Sequence, residues 1–304
     1  MGQILARHFH AQGDEVDVLG RIPRPAPWKM TAWNGRDLGA WTDSIDGADV
    51  VINLTGRSVN CRYNAENRRE ILDTRVQSTR VIAEAINQAA QPPSIWMNAS
   101  TATIYRHSLD RDMNELGELG GNEKNIPDTW RFSIDVAKAW EAAFFEAKTP
   151  GTRKVALRSS MIMSPDGGGV LDVLLGLVKK GLGGKAGSGG QYVSWIHDED
   201  FIRALEFIIE HPEVDGAVNV CSPNPLPNVD FMATLRHVYG TPAGLPASKW
   251  MLELGAVFLC TETELILKSR RVVPALLLQA GFQFGFPDWE AAAEDLVRRW
   301  ERLH

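Results

Sequence analysis

The chain has 304 residues, of which 44% are hydrophobic and 23% are charged. This composition is typical of globular proteins and excludes disordered, fibrous and disulfide-scaffold proteins. The formal net charge is −6, and no long stretch is markedly basic, which argues against nucleic acid or an anionic membrane as a partner.

The three cysteines, Cys61, Cys221 and Cys260, are far apart in sequence and share no C-x-x-C spacing. They indicate neither a disulfide framework nor a zinc site, and we expect no metal. The first residues lack the basic and apolar regions of a signal peptide, and apolar runs such as 173–178 are far shorter than the ~18 residues that span a bilayer. We therefore expect a cytoplasmic protein without a membrane partner.

In the first half of the chain, apolar residues recur with spacings that alternate between strand and helix. In chain order the spacings predict a helix at 2–12, strands at 15–19 and 28–33, a short helix at 37–45, a buried strand at 50–52, a helix at 69–90, a strand at 94–99, a helix at 129–147 and a strand at 154–161. Such alternation builds βαβ units. The sequence therefore predicts an α/β fold with a Rossmann-type, doubly wound parallel sheet.

The pattern changes after about residue 164, where glycine becomes frequent; six of the ten residues at 181–190 are glycine. Beyond this stretch we predict short strands at 192–196 and 217–221, and helices at 198–210, 229–239, 249–259 and 289–303. Residues 165–304 are thus expected to form a smaller, mostly helical lobe. Some of its segments should return to the sheet of the first domain, 1–164.

Ligands of a doubly wound sheet bind outside the carboxyl ends of its strands, so residues that follow each strand are the first candidates for a site. Arg21 follows the first predicted strand, where a guanidinium could pair with the 2′-phosphate of a dinucleotide. An acid would instead bind the ribose 2′-hydroxyl, and the sequence offers none here. A solvated surface arginine is the alternative interpretation.

Two later segments offer backbone and hydroxyl groups at the same edge. A tight glycine turn after the strand at 50–52 would let the backbone approach an adenosine or ribose, and hydroxyls after the next strand could bind a substrate oxygen during hydride transfer. The alternatives are an ordinary strand-ending turn and hydroxyls that satisfy loop backbone groups. The residues concerned are Asn53, Leu54, Thr55 and Gly56 in the turn, and Ser100, Thr101 and Tyr105 after the next strand.

His197 precedes three acids, Asp198, Glu199 and Asp200, in a cluster that looks like a metal site. Helix capping explains the cluster better, because acids in a first helical turn complement the helix dipole and an apolar helix pattern follows. Contact of His197 with a substrate is the second alternative, and a metal is the third.

Several blocks of sequence occur in a characteristic order. They are Val-Ile-Asn-Leu-Thr-Gly at 51–56, 71–79, Trp-Glu-Ala-Ala at 140–143, 157–158, Asp-Gly-Gly-Gly at 166–169, 187–191, Ser-Trp-Ile-His at 194–197, Ser-Arg-Arg-Val-Val-Pro at 269–274 and Gly-Phe-Gln-Phe at 281–284. Nearly the whole chain thereby resembles the extended and atypical branch of the short-chain dehydrogenase/reductase superfamily. The closest resemblance is to its epimerase-like family, often labelled nucleoside-diphosphate-sugar epimerase.

The resemblance implies a Rossmann domain that binds NADP(H), a small C-terminal lobe, and oxidoreductase or epimerase activity on a small or sugar-derived carbonyl or alcohol. Gly2 and the turn 53–56 would frame the dinucleotide, and Arg21 would hold its 2′-phosphate. The other implied contacts are Arg158 to the cofactor, His197 and Gln191 to the substrate, and Thr101 or Ser100 to the reacting oxygen.

The amino-terminal sequence differs from that of the superfamily. Met1 and Gly2 resemble the end of its glycine-rich first turn, so the first strand and the earlier glycines are expected to be missing from this chain. A sheet without that strand would leave neighbouring edges unpaired. We expect weak binding of NADP(H) as a result, and a start site further upstream would explain the gap.

The residues at the superfamily's two catalytic positions differ as well. The superfamily uses a tyrosine four residues before a lysine, and the lysine lowers the pKa of the tyrosine. Aligned on Trp140 and Glu141, these positions are Ser133 and Ala137. Lys138 is one residue out of register, about 100° round the helix, and should point elsewhere.

This loss leaves Thr101, with Ser100 beside it, as the remaining catalytic hydroxyl, and Tyr105 as a candidate substitute acid. The competing hypothesis is a sensor or interaction protein that binds a dinucleotide without turnover. In either case the expected partner is a small molecule, and a homodimer is plausible.

Overall fold

The computed structural model describes residues 1–248 and 262–304. The helix predicted at 249–259 and the third cysteine, Cys260, lie outside the described residues. Within those two ranges, no helix combines the length and apolar character needed to cross a bilayer.

Parallel strands form the centre of the fold. Strands β1 (Asp17–Gly20) and β2 (Lys29–Ala32) pair with each other, while β3 (Val50–Asn53), β4 (Ile95–Thr101), β5 (Arg153–Ser159) and β9 (Gly216–Val220) form a four-stranded sheet in that order. Every pairing in these two sheets is parallel. The predicted α/β fold is confirmed, and the carboxyl ends of β3, β4 and β5 meet at one edge.

Four shorter strands lie in the second half of the chain. β6 (Met161–Met163) pairs in parallel with β8 (Trp195–His197), and β7 (Tyr192–Val193) pairs antiparallel with β10 (Leu226–Pro227). Strand β9 pairs in parallel with β5 and so belongs to the main sheet. The domain boundary at residue 164 remains a prediction.

Helices connect the strands and follow them. The described helices are α1 (Gly2–Gln12), α2 (Ala65–Gln88), α3 (Asp128–Phe145), α4 (Val170–Lys179), α5 (Asp198–Glu210), α6 (Asn228–Tyr239), α7 (Glu264–Leu267), α8 (Ala275–Gln279) and α9 (Trp289–Leu303). Helix α2 begins four residues earlier than predicted because the Asn64 side chain caps it, accepting a hydrogen bond from the Asn67 N–H. The helix predicted at 37–45 is only a 3-10 turn at Ala40–Ser44.

Helices cover both faces of the main sheet because alternate residues of a strand point to opposite sides. On one side, Met97 of β4 packs with Phe201 of α5 and Leu5 of α1. On the other side, Trp96 packs against α2 and α3, and its ring meets Phe144 edge-on at 4.5 Å. The sheet is therefore doubly wound.

A second core joins α4, α6 and α9 to β6 and β8. Trp289 stacks on Phe231 with 4.1 Å between ring centroids, and Trp195 meets Trp289 at 4.9 Å. This core is separate from the two that flank the main sheet, and it forms a smaller helical lobe.

The parallel strands are interrupted between β1 and β3. No ladder in the described part of the chain joins these two strands, so each pairs on one side only. Val18 and Leu19 of β1, and Val50 and Ile52 of β3, are only half-buried, whereas β4 is buried along nearly its whole length. The absence of a first strand stays a prediction.

Candidate functional site

The amino end of α1 lies beside the turn that follows β3. A Cβ added to Gly2 would lie 3.9 Å from the Leu54 side chain, and one added to Gly35 would lie 3.9 Å from Thr55. No side chain in the described ranges caps α1, so its first backbone N–H groups face water or a ligand. Because a helix amino terminus attracts negative charge, this edge suits a phosphate.

Asn53 fixes the shape of the turn 53–56. Its side chain is buried; Oδ1 accepts the Thr55 N–H at 3.0 Å, and Nδ2 donates to Oδ1 of Asn98 at 2.7 Å. The amide is therefore used within the protein. What the turn offers a ligand is its backbone and the Thr55 side chain.

Arg75 of α2 lies against this turn, and the sequence analysis missed it. The guanidinium donates to the carbonyls of Ile71 at 2.9 Å and Arg57 at 3.1 Å, and it lies over the Trp140 ring at 5.1 Å. A Cβ on Gly56 would come within 3.0 Å of Arg75 Cζ, so a larger residue there would have to displace the guanidinium.

The charge of Arg75 is not neutralised by a carboxylate among the described residues. Burial lowers its pKa to about 10, which reflects the cost of holding a cation away from water without an anion. One sequence signal could have found it. Arg75 lies four residues after buried Ile71 and four before buried Thr79, on the apolar stripe of the helix.

Arg21 lies at the same edge. The Trp33 N–H donates to the Gly20 carbonyl at 2.9 Å, so the turn after β2 lies beside Arg21. Gly35 of that same turn lies next to Thr55 of the turn 53–56. The Arg21 side chain is exposed and has no acidic partner in the part of the chain that the structure describes. Its guanidinium is available to a ligand.

The two hydroxyls at the end of β4 differ in their partners. Thr101 is half-buried, and its oxygen accepts the Thr103 N–H at 3.2 Å, which leaves the hydroxyl proton able to donate. Ser100 is buried and donates to Oε1 of Glu141 at 2.6 Å. The geometry therefore favours Thr101 as the hydroxyl that can contact a substrate.

Tyr105 and Arg158 belong to a buried network that joins β4, β5, β9 and α3. Arg158 pairs with both oxygens of Glu141 at 2.8 Å, and the Tyr105 hydroxyl accepts from Arg158 and donates to Asn219, each at 2.8 Å. Burial raises the pKa of Tyr105 to about 12, so the phenol keeps its proton at neutral pH. Their roles in catalysis and cofactor binding remain predictions, and this conformation gives both side chains internal partners instead.

His197 is fully buried and caps α5, as predicted. Its Nδ1 accepts the Glu199 N–H at 3.1 Å, Nε2 meets Asp295 at 3.1 Å, and the ring stacks on Phe286 at 3.8 Å. Burial lowers the pKa of His197, which favours the neutral ring that a cap requires. Contact with a substrate remains a prediction and would require Phe286 or Asp295 to move.

Gln191 is also held by the protein. Its Nε2 donates to the carbonyls of Ala186 at 2.9 Å and Ile266 at 3.3 Å, and its Oε1 accepts from Ser188 at 3.2 Å. These bonds tie the glycine-rich stretch to the C-terminal region. A substrate contact by Gln191 stays a prediction.

The C-terminal segment 262–273 lies across the loop after β4, which the sequence analysis did not anticipate. Lys268 Nζ donates to the Thr103 carbonyl at 2.5 Å, and Arg270 Nε donates to the Thr103 hydroxyl at 3.0 Å. Met113 and Val272 form a β-bridge. The block at 269–274 was the one sign in the sequence that this segment matters.

A groove of about 480 Å³ opens elsewhere, between α1, α5 and α9. Arg7 and Asp166, which line it, form an ion pair at 2.7 Å. The groove shares no lining residue with the turn 53–56, Arg75 or Thr101. Within the described ranges, no group of three or more His, Cys, Asp or Glu side chains is arranged to hold a metal ion.

Family comparisons agree with this geometry. Residues 1–221 match the model of the NAD dependent epimerase/dehydratase family, and residues 247–296 match a domain of unknown function, DUF1731. The chain belongs to the NAD-dependent epimerase/dehydratase family. The resemblance stated from the order of the sequence blocks is thereby confirmed.

Individual relatives cover almost all of the chain. The mouse epimerase family protein SDR39U1 is 31% identical over 98% of this chain and 96% of its own length. The structure of human SDR39U1, described with NADPH, has a TM-score of 0.84 at 29% identity and covers 98% of this chain and 95% of that one. A nucleoside-diphosphate sugar epimerase from Corynebacterium glutamicum has a TM-score of 0.74 at 27% identity, covering 99% of this chain and 58% of that one.

Proposed function

We propose that this chain binds NADP(H) at the edge formed by the α1 amino terminus, the turn 53–56 and Arg75. It would use the dinucleotide as an oxidoreductase or epimerase on a small or sugar-derived carbonyl or alcohol. The observation that carries the proposal is Arg75, a guanidinium beside a glycine turn with no acidic partner among the described residues. A ligand that brings negative charge would supply that partner.

The residues present fit such a ligand. The α1 amino terminus and Arg75 suit a pyrophosphate, and exposed Arg21 suits a 2′-phosphate. The human relative described with NADPH supports the phosphorylated form. When bound, the nicotinamide would donate or accept the hydride, and the Thr101 hydroxyl would hold the reacting oxygen.

The 2′-phosphate contact is tested by Arg21→Met. We expect the dissociation constant for NADPH to rise about tenfold to hundredfold, because one charge-assisted pair is lost, while that for NADH stays the same. Isothermal titration with both dinucleotides measures this, and Arg80→Met removes another exposed arginine as a control. Equal affinity of the unmodified chain for NADPH and NADH would contradict the assignment of Arg21.

Unlike Arg21→Met, Arg75→Met should weaken the binding of NADPH and NADH equally. Because both dinucleotides carry a pyrophosphate, we expect their affinities to fall together by about tenfold or more, without a change in their ratio. The same titration measures both. An unchanged affinity for both would show that Arg75 serves only to hold the turn.

The competing function, dinucleotide binding without turnover, is favoured by the groups at the superfamily's catalytic positions. Ser133 and Ala137 stand there, and Lys138 points away, donating to the Gly120 carbonyl at 2.6 Å. The two functions separate when NADPH oxidation is followed by absorbance across a panel of aldehydes, ketones and keto sugars. Turnover of any compound supports the enzyme, and binding without turnover of every compound supports the sensor. A homodimer remains a prediction for either.

A further inference from the structure

A buried chain of hydrogen bonds links α3 to the C-terminal segment 262–273. The Ser133 hydroxyl donates to Oε2 of Glu264 at 2.8 Å, and Oε1 of Glu264 accepts from Arg270 at 2.9 Å. Arg270 in turn donates to the Thr103 hydroxyl at 3.0 Å, just beyond the end of β4. The Glu264 carboxylate thus contacts the Ser133 hydroxyl of α3 and is linked through Arg270 to the loop after β4.

Burial separates the roles of these groups. Glu264 is 1% exposed, whereas Ser133 is half-buried. Only the serine hydroxyl can therefore touch a ligand, and Glu264 can act through it. The arrangement is that of an alcohol whose proton is already directed at a carboxylate acceptor.

The other titratable groups near Glu264 are less suited than its carboxylate to accept a proton from Ser133. Tyr63 lies beside Ser133, but burial raises its pKa to about 12, so it stays a neutral phenol. Lys268 is 1% exposed, and its amine is directed at the Thr103 carbonyl. Arg270 carries a fixed positive charge. The carboxylate is therefore the group in this cluster that can accept a proton from Ser133.

We propose that Ser133 is a catalytic hydroxyl of the proposed reaction and that Glu264 is the positioning residue that receives the proton through it. In alcohol oxidation, the carbon would lose a hydride to the oxidised nicotinamide, and the alcohol oxygen would pass its proton to Ser133 Oγ. Ser133 would pass its own proton to Oε2 of Glu264. Carbonyl reduction reverses each transfer, so an epimerase could return the proton that it removed. This inference rests on the proposed function.

The test uses the full chain and a carbonyl or alcohol that it turns over. Ser133→Ala and Glu264→Gln should each lower kcat about 100-fold or more, the range for loss of a proton-transfer group. The double variant should be no worse than either alone, because the two groups act as a unit. Ser133→Thr, which keeps a hydroxyl, should restore most of the rate.

A further readout distinguishes proton transfer from a structural role. The dissociation constant for NADPH should stay within about threefold of the unmodified chain in every variant, since the pair holds the reacting proton and not the dinucleotide. A lower kcat without a change in this dissociation constant is the expected signature of a lost proton transfer.

Glu262→Gln is the matched control. Glu262 is another buried carboxylate of the same segment, but it accepts the Tyr63 N–H at 2.8 Å and does not contact Ser133. Its replacement should leave kcat within about twofold. The inference is overturned if Glu264→Gln behaves like Glu262→Gln, or if NADPH binds without turnover of any compound. If the unmodified chain did not bind NADPH, the proposed function itself would be contradicted.

Discussion

We expect Glu141→Leu to lower the free energy of unfolding by about 3–5 kcal/mol. Glu141 and Arg158 are 8% and 6% exposed and form a bidentate pair with 2.8 Å contacts. Removal of the carboxylate leaves the Arg158 guanidinium buried without an anion, and it also removes the acceptor of the Ser100 hydroxyl. Urea unfolding followed by tryptophan fluorescence measures the loss.

An exposed ion pair provides the control. Arg7 and Asp166 lie 2.7 Å apart, but their side chains are 60% and 37% exposed. Asp166→Asn should therefore change the free energy of unfolding by less than about 1 kcal/mol. If Glu141→Leu lowered the free energy of unfolding by an equally small amount, Arg158 would have to reach water or another anion. The buried hydrogen-bond network around Arg158 would then be contradicted.

Lys268→Met should raise stability near neutral pH and remove part of its pH dependence. Burial, together with the nearby charge of Arg270, lowers the pKa of Lys268 from 10.5 to about 7. Between these two values the unfolded chain binds the proton and the folded chain does not. The free energy of unfolding therefore rises with pH from about 7 to about 10.5, by up to about 5 kcal/mol from this group.

Urea unfolding at a series of pH values tests this slope. Lys268→Met should be more stable than the unmodified chain at pH 7 and should show a flatter rise above it, offset in part by loss of the 2.5 Å hydrogen bond to Thr103. Lys148, which is exposed, is the control, and Lys148→Met should keep the full slope. Parallel curves for the unmodified chain and Lys268→Met would show that the amine is protonated in both the folded and unfolded states.

Local sequence patterns predicted most of the fold because they depend on local physics. Period-two and period-3.6 spacings located the main strands and helices, and α9 has the predicted bounds. The acids after His197 predicted its capping role, which depends on groups within one helical turn. Helix α4 was missed although its apolar residues follow the helical spacing, with Leu171, Leu175 and Val178 buried along one side.

The candidate site was less predictable because its contacts join distant residues. Ser100 meets Glu141 across 41 positions, and Lys268 meets Thr103 across 165. No spacing in the sequence reveals such pairs. Residue type alone also did not reveal that internal hydrogen bonds occupy the polar groups of Tyr105, Arg158 and Gln191, whose roles in the site remain predictions.

Hydrogen–deuterium exchange with and without millimolar NADPH locates the dinucleotide on the chain, and it detects weak binding as well as strong. We expect slower exchange in peptides that cover the amino end of α1, the turn 53–56 and the part of α2 around Arg75. Unchanged exchange at these three places, or protection confined to the groove between α1, α5 and α9, would show that NADPH does not bind at this edge of the sheet.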